Sequence, residues 1–512
     1  MKPTRARDSR VLPESAPSNS SIFLQLRNKL REAEACRQSG KLDAAQSICS
    51  KLIAQYPDYA AALHSLGLIL SDRGQHLDAL AFLNRAAMHN PDNWSTHTAL
   101  GVAYLSLGAT ELAEQSLERA RALSPNEAAI HVSLGELHRE QQDHERAAEA
   151  FARANALDAS LTAAHIGLAM ALIHLGRLAE AAKALETSLK RAPANLNALL
   201  ALAGLPGHLV ELDLLSIISK LSAKPGTPRD SAKIAFAHAA ALDQCGKHAE
   251  AWSGFIAANK MMFREMEPAW KNQREHDLWL VKHLRSSPTL PAPARSPQDE
   301  GPISLFIIGP SRSGKSTAEL LISTMPGVKR GFESQIVEKS VRRSFQDAAL
   351  PPQPRDHLNE LPAGMDSSFR KHYLQSLRAA ASGHRLLTIT NPARMLDALR
   401  LATLLPSAGF VLVKRDPDDL MVRIFMKMFL KGHPYAYSLA SIREYVQTYY
   451  AVQDVLAEKL PGRTYTIRYE DMIAEPQKTR DTIGAFCGLA PASEPIPDLG
   501  NDIGCAKLYP LS

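Results

Sequence analysis

The chain has 512 residues, of which 45% are hydrophobic and 22% are charged, and its formal net charge is +6. This balance is typical of a folded protein with two or three domains and excludes a largely disordered chain. The small net charge also argues against a nucleic-acid-coating surface and favours local anion sites.

The first 22 residues are polar, with arginines at positions 5, 7 and 10, and they lack the apolar core of a signal peptide. We predict a disordered polar tail over residues 1–22, with a basic targeting or membrane-touching arm as the alternative. No apolar stretch approaches membrane-spanning length. The five cysteines contain no C-x-x-C pair, which fits a reducing compartment. We therefore expect a cytoplasmic protein without a membrane span.

A 34-residue period runs through the first half of the chain. The pairs Leu66-Gly67, Leu100-Gly101 and Leu134-Gly135 share that offset, and a second series confirms it: Ala45, Ala79, Ala113, Ala147 and Ala181. The pattern resembles the tetratricopeptide repeat, a helix-turn-helix unit with small residues where the two helices touch. We predict about five repeats over residues 23–195, stacked into an all-α solenoid whose groove binds a protein or peptide. A degenerate helical segment of the same kind is expected over residues 196–285.

Histidines recur in the array at nearly the same spacing, at His64, His97, His131 and His165. We interpret them as one helix-face position on successive repeats, which argues against metal binding. The alternative is a groove that contacts an acidic peptide.

A stretch rich in proline and serine follows at 286–300 and predicts a linker, with a second domain over residues 301–512. An apolar run at 303–308 then precedes the loop 309–317, whose sequence is Gly-Pro-Ser-Arg-Ser-Gly-Lys-Ser-Thr. This arrangement predicts a strand, a phosphate-cradling turn and a helix. The loop also satisfies the general P-loop pattern, so by itself it fits a nucleoside triphosphate or another phosphorylated nucleotide.

Further strands are predicted at 386–390, 410–413 and 465–469, separated by helical stretches. Alternating strands and helices indicate an α/β domain with a parallel sheet covered on both faces. Ligands bind beyond the carboxyl ends of such strands, which would bring the loop 309–317 and the segment 414–417 to the same edge.

Several motifs now carry a family resemblance. Residues 310–314 resemble the P-R-S-G-T-T phosphosulfate loop, and Lys414-Arg415-Asp416-Pro417 resembles the R-R-D-P segment, of bacterial proteins that join tetratricopeptide repeats to a sulfotransferase domain. Later segments at 432–437, 460–463, 468–471 and 485–489 are similar to that family in order and spacing. The resemblance implies 3′-phosphoadenosine 5′-phosphosulfate (PAPS) as donor, adenosine 3′,5′-bisphosphate (PAP) as product, and no required metal. The acceptor, a hydroxyl or an amine, is not disclosed by the sequence.

The resemblance also implies roles for individual residues. Glu333 stands where the family has its proton-accepting glutamate, and Lys315 is a second candidate catalytic residue. Arg415 would clamp the 3′-phosphate with its planar guanidinium. Arg423 replaces the family's 3′-phosphate serine and is either a phosphate-binding cation or a solvated helix residue. The 5′-phosphosulfate would be held by the loop residues Arg312, Ser313, Gly314, Lys315, Ser316 and Thr317.

Departures from the family keep other functions open. Lys315-Ser316 stands where the family has two threonines, and Thr390-Asn391-Pro392 lacks a lysine that many members carry. One alternative is a P-loop kinase or nucleoside triphosphatase that uses ATP and Mg²⁺. The other is a catalytically silent scaffold that retains only the fold.

Overall fold

The computed structural model describes residues 20–222, 226–291, 301–348, 358, 361–362, 364–391, 394–429, 432–500 and 503–509. The chain divides into two compact units, Met1–Ala192 and Pro193–Ser512. Residues 1–19 of the predicted tail and residues 292–300 of the predicted linker lie outside the described residues. Across the described ranges, none of the helices combines the length and the apolar character that a bilayer crossing needs.

The described part of the first unit is a run of helices that pack as consecutive pairs, and each pair also contacts the next one. The prediction of an all-α repeat array is confirmed. The helices are α1 (Ser20–Gln38), α2 (Leu42–Gln55), α3 (Ala60–Asp72), α4 (His76–His89), α5 (Trp94–Ser106), α6 (Thr110–Leu123), α7 (Ala128–Glu140), α8 (His144–Leu157), α9 (Thr162–His174) and α10 (Leu178–Arg191).

Small residues mark the crossing of the two helices in each repeat. A Cβ atom on Gly67 would lie 2.5 Å from Leu83, and one on Gly101 would lie 2.5 Å from Leu117. No larger residue fits there without moving the partner helix. The alanines of the 34-residue series are all fully buried: Ala45, Ala79, Ala113, Ala147 and Ala181.

The array histidines have structural partners. The rings of three of them contact, through Nε2, the carbonyl oxygen six residues earlier: His97 to Pro91 at 2.8 Å, His131 to Pro125 at 2.9 Å and His165 to Ala159 at 3.1 Å. These three share one repeat position, as predicted, but His64 does not. Its Nδ1 lies 3.2 Å from Thr96 Oγ1, and burial lowers its pKa to about 4.

The second unit contains a five-stranded parallel sheet in the order β2-β3-β1-β4-β5, which confirms the α/β prediction. Alternate residues of β1 pack into different cores, Phe306 and Ile308 on one face and Leu305 and Ile307 on the other. Both faces of the sheet are therefore covered. The strands are β1 (Ile303–Ile308), β2 (Val328–Lys329), β3 (Leu386–Ile389), β4 (Gly409–Lys414) and β5 (Thr464–Arg468).

The helices of this unit begin before the sheet and alternate with its strands. They are α11 (Leu196–Ala203), α12 (Leu214–Ser222), α13 (Pro228–Gln244), α14 (His248–Ser286), α15 (Lys315–Ser323), α16 (Ile336–Asp347), α17 (Asp366–Ala381), α18 (Arg394–Leu404), α19 (Pro417–Phe425), α20 (Leu439–Lys459), α21 (Tyr469–Ala474) and α22 (Pro476–Cys487). Short 3₁₀ helices lie at Gly207–Leu209, Pro434–Tyr437 and Cys505–Leu508.

The 39-residue helix α14 packs against the helices of the sheet domain. The ring of Trp252 lies 5.2 Å from that of Phe425, and Asn259 Nδ2 donates a 2.8 Å hydrogen bond to the Phe425 carbonyl. Farther along, the Trp270 ring lies 6.3 Å from Tyr435. The segment 196–285, predicted from the sequence as a degenerate repeat, thus contributes to one hydrophobic core with the sheet domain.

Candidate functional site

Two loops meet at the carboxyl edge of the sheet. β1 and β4 are neighbouring parallel strands, with Ile308 paired to Leu412. The loop 309–317 leaves β1, and Arg415 follows β4 directly. Arg415 Nη1 lies 3.5 Å from the carbonyl oxygen of Arg312 in the loop. The two segments that the sequence assigns to anion binding are therefore in contact.

The backbone of the loop has an unusual conformation. Arg312 and Gly314 both have positive φ angles, 69° and 96°. A Cβ atom on Gly314 would lie 2.2 Å from the Tyr469 ring, so only glycine allows this close approach. Gly314 is also the N-cap of α15, and it has no side chain to cap the first N–H groups of that helix. Those donors make the loop a suitable anion cradle.

The side chain of Lys315 is buried within the loop. Its Nζ donates to the carbonyl oxygens of Gly309 and Pro310, at 2.8 and 3.1 Å. Burial lowers the pKa of Lys315 to about 8, and the negative charge of Glu333 acts in the opposite direction. Glu333 is therefore near enough to interact with this ammonium group.

Arg415 is also buried, with 4% of its surface exposed. Its guanidinium lies over the Tyr469 ring, 4.2 Å from the centroid, and Nη2 lies 3.8 Å from Asp419 Oδ2. The Tyr450 hydroxyl contacts both the backbone N–H and the carbonyl of Arg415, at 2.9 and 2.7 Å. Asp416 caps α19 by accepting from two backbone N–H groups, which explains why an Asp-Pro pair follows the arginine.

Lys427 is a further cation of the site that motif reasoning did not single out. Burial, with the positive charge of Arg312 as a second cause, lowers the pKa of its ammonium group to about 8. Two cations of the site are thus close together. Arg423 is half-buried on α19, two turns beyond Arg415. In the first turn of α15, Ser316 is exposed and Thr317 is half-buried.

Glu333 is exposed at the end of a tight turn, 331–333, that follows β2. Phe332 has a φ of +52°, which is rare for a bulky residue. The Phe332 carbonyl accepts a 2.8 Å hydrogen bond from Thr390 N, just beyond the end of β3. The predicted proton acceptor therefore lies on a constrained backbone.

A cluster of aromatic residues lies on the other side of the loop. The Ser311 hydroxyl is 2.9 Å from His433 Nε2, and the same hydroxyl lowers the pKa of Tyr435 against the effect of burial. The tyrosine ring stacks on Tyr445 with a centroid separation of 3.6 Å. Asp277 of α14 interacts electrostatically with both tyrosines, and burial raises its own pKa to about 6. No sequence motif indicated this carboxyl group.

The loop has the properties of a phosphate or sulfate site. The Ser313 hydroxyl is fully buried and has no hydrogen-bond partner among the described residues. A buried hydroxyl without a partner costs about 1–3 kcal/mol, and an anionic oxygen in the loop would satisfy it. Across the described ranges, no group of three or more His, Cys, Asp or Glu side chains is arranged to hold a metal ion.

Comparison with known proteins agrees with this description. Residues 302–493 match the model of the sulfotransferase family, and residues 30–97, 70–135 and 138–205 match models of the tetratricopeptide repeat. The chain therefore joins a tetratricopeptide-repeat array to a domain of the sulfotransferase family. The resemblance that the motifs carried is confirmed.

The individual relatives are distant. An uncharacterized protein of Aquifex aeolicus (strain VF5) is 20% identical over 333 residues, which is 63% of this chain and 43% of that protein. The chain thus spans less than half the length of this curated relative.

Solved structures similar to the chain include the crystal structure of MamA, a thermophilic TPR protein of Thermus thermophilus, and YrrB, a TPR protein with an unusual peptide-binding site. MamA is 23% identical and covers 31% of this chain and 93% of its own, with a TM-score of 0.28. The Thermus protein is 23% identical over 35% and 97% at 0.33, and YrrB is 19% identical over 38% and 96% at 0.29. At these TM-scores the similarity says nothing about function.

Proposed function

We propose that the domain transfers the sulfuryl group of PAPS to an acceptor hydroxyl or amine. The observation that carries this proposal is the meeting of the loop 309–317, with its buried Ser313 hydroxyl, and the buried guanidinium of Arg415 at one edge of the sheet. A donor with anionic groups at both its 3′ and 5′ positions needs two such elements side by side. PAPS, when bound, supplies an activated sulfuryl group and leaves PAP as the product.

The loop and its cations would hold the 5′-phosphosulfate. Backbone N–H groups at the start of α15, together with Arg312 and Lys427, offer donors and positive charge around the Ser313 hydroxyl. Lys315 has a pKa of about 8, so it is mostly protonated at pH 7 and can neutralise negative charge that develops on an oxygen of the donor. Ser316 and Thr317 would add hydroxyl donors from the first turn.

Arg415 is proposed to hold the 3′-phosphate. Its guanidinium is fixed by the Tyr469 ring and by Asp419, so little conformational entropy is lost when it binds a ligand. Its planar fork can meet two phosphate oxygens at once. Arg423, on the same side of the sequence motif, would be an additional cation for this phosphate.

Glu333 is proposed to take the proton of the acceptor. Its position near Lys315 supports this role, because an acid beside the cation of the donor loop also lies near the group to be transferred. The tetratricopeptide repeats are proposed to bind a protein or peptide, which would be either the acceptor itself or a partner that delivers it.

Titration calorimetry on the full chain tests the donor assignment. We expect PAP to bind in buffer without Mg²⁺, and Lys315→Met to weaken that binding at least tenfold. An exchange of a surface lysine, Lys282→Met, serves as the matched control. If the protein binds ATP with Mg²⁺ and shows no heat with PAP, the site belongs to a kinase or nucleoside triphosphatase and the proposal is wrong.

A further inference from the structure

A second carboxyl group of the site is buried behind the loop. Glu319 lies on α15, one turn after Lys315, and only 1% of its surface is exposed. Its Oε1 accepts hydrogen bonds from the backbone N–H of Phe332 at 3.0 Å and from the Thr388 hydroxyl at 2.6 Å. Its Oε2 lies 3.4 Å from Arg330 Nη2. Nothing in the motifs assigns a role to this residue.

Those contacts converge on the turn 331–333. The Gly331 N–H donates to the Thr388 hydroxyl at 3.3 Å, and a Cβ atom on Gly331 would lie 2.2 Å from the Thr388 carbonyl oxygen. The Arg330 guanidinium lies 4.3 Å from the centroid of the Phe332 ring. Glu319 therefore contacts the turn directly through Phe332 and indirectly through its two other partners.

The turn is strained, which gives the contacts something to hold. A bulky residue in the left-handed region costs about 1–3 kcal/mol and persists only where its surroundings impose it. Phe332, with a φ of +52°, is such a residue. The hydrogen bond from its N–H to the Glu319 carboxylate, roughly 1.5–3 kcal/mol for a charged acceptor, is large enough to offset that cost.

The strained turn delivers Glu333 to the site. Its charge reaches the ammonium group of Lys315, which stands at the start of the same helix that carries Glu319. One helix therefore presents the cation of the loop and also the group that fixes the acid opposite it. Relaxation of the turn would let Glu333, whose side chain is exposed, move away into solvent.

We propose that Glu319 is a positioning residue that holds the turn 331–333 so that Glu333 stays beside Lys315. The functional meaning of this role rests on the proposed sulfuryl transfer, in which Glu333 takes the acceptor proton. The positioning itself can be measured in the free protein, without donor or acceptor.

The measurement is competitive acylation of Lys315 across the pH range in the full-length protein, read by peptide mass spectrometry. Loss of the nearby negative charge lowers the pKa of the amine, so more of it is neutral and reactive at pH 7.5. We expect Glu333→Gln to raise Lys315 reactivity about threefold, and Glu319→Ala to raise it by the same factor. Glu319→Gln should remain near the wild type, because its amide oxygen still accepts from Phe332.

The double variant Glu319→Ala/Glu333→Gln gives the sharpest result. If Glu319 acts through Glu333, the double variant matches Glu333→Gln alone. An additive effect, or no effect of Glu319→Ala on Lys315, overturns the proposal, as does equal behaviour of Glu319→Ala and Glu319→Gln. Lys282, a surface lysine on α14, reports the reagent's pH dependence in every sample.

Thr388→Val provides a second route in case Glu319→Ala does not fold. It removes the hydroxyl between Glu319 and Gly331 but leaves the carboxylate in place, and we expect a rise in Lys315 reactivity of about twofold. An unchanged reactivity in a folded Thr388→Val protein also counts against the proposal. If PAP fails to bind the wild type, the proposed function falls while these labelling results still decide the role of Glu319.

Discussion

At the scale of single residues, Arg415 shows how geometry and charge combine in this site. Its guanidinium is buried between the Tyr469 ring and Asp419. A lysine would keep the charge there but lose the planar fork and the stacking surface. We predict that Arg415→Lys weakens PAP binding by roughly 1.5–3 kcal/mol, or about tenfold to a hundredfold. Titration calorimetry measures this.

Two comparisons make this prediction specific to the 3′-phosphate. Adenosine 5′-monophosphate lacks that group, so its weaker binding should be the same in wild type and Arg415→Lys. Arg468→Lys, the same exchange at an exposed position of β5, should leave the affinity for PAP unchanged. Equal losses for both nucleotides in Arg415→Lys would assign the arginine to the fold rather than to the ligand.

The sequence could indicate Arg415 and Lys315 because each belongs to a local motif whose chemistry depends on neighbours in the chain. It could not indicate Asp277, Lys427 or Glu319, because their contacts depend on tertiary packing. Asp277, for example, lies more than 150 residues from the tyrosines that it affects. A lone acid in a helix gives no signal of its environment until the helix is placed.

At the scale of elements, α14 carries a carboxyl group on its buried side. Asp277 follows the same stripe as the buried residues Trp270, Leu280 and Leu284, and a 3.4 Å hydrogen bond from Gln273 is its described partner. Burial raises the pKa of Asp277 to about 6. The folded state therefore binds this proton more tightly than the unfolded chain, and the stability it contributes is lost as the pH rises from about 4 to about 6.

Asp277→Asn is predicted to stabilise the protein at pH 8. Removing the buried charge should add about 1–2 kcal/mol to the free energy of unfolding of this unit, a value reduced to allow for partial exposure, and raise its Tm by about 2–6 °C. At pH 4, where Asp277 is largely protonated, the two proteins should melt alike. Scanning calorimetry decides this. Glu275→Gln, an exposed exchange on the same helix, is the control, and an equal change at both pH values would contradict the prediction.

The elements differed in how well the sequence predicted them. The strands β1, β3, β4 and β5 were indicated by apolar runs, but the two-residue β2 is too short to show a pattern. Helix α14 continues through Pro268, where a proline normally ends or kinks a helix. Its packing on the sheet domain stabilises it there, which local propensity does not reveal.

At the scale of the whole molecule, the two compact units do not coincide with the two families. The sulfotransferase match begins at residue 302, whereas the second unit begins at Pro193. The residues between them include α13 and α14, which share a hydrophobic core with the sheet domain. A folded catalytic unit should therefore start near residue 193 rather than near residue 301.

Two fragments test this boundary. We predict that residues 193–512 fold and bind PAP with the affinity of the full chain. Residues 301–512 should not fold, because they lose the packing of Trp252, Phe255 and Trp270 of α14, all nearly fully buried. Each such side chain contributes about 1.5–3 kcal/mol, so three of them approach the whole stability of a typical domain. Circular dichroism and calorimetry with PAP compare the two. A folded 301–512 fragment that binds PAP as tightly as the full chain would show that the preceding helices are dispensable for this site.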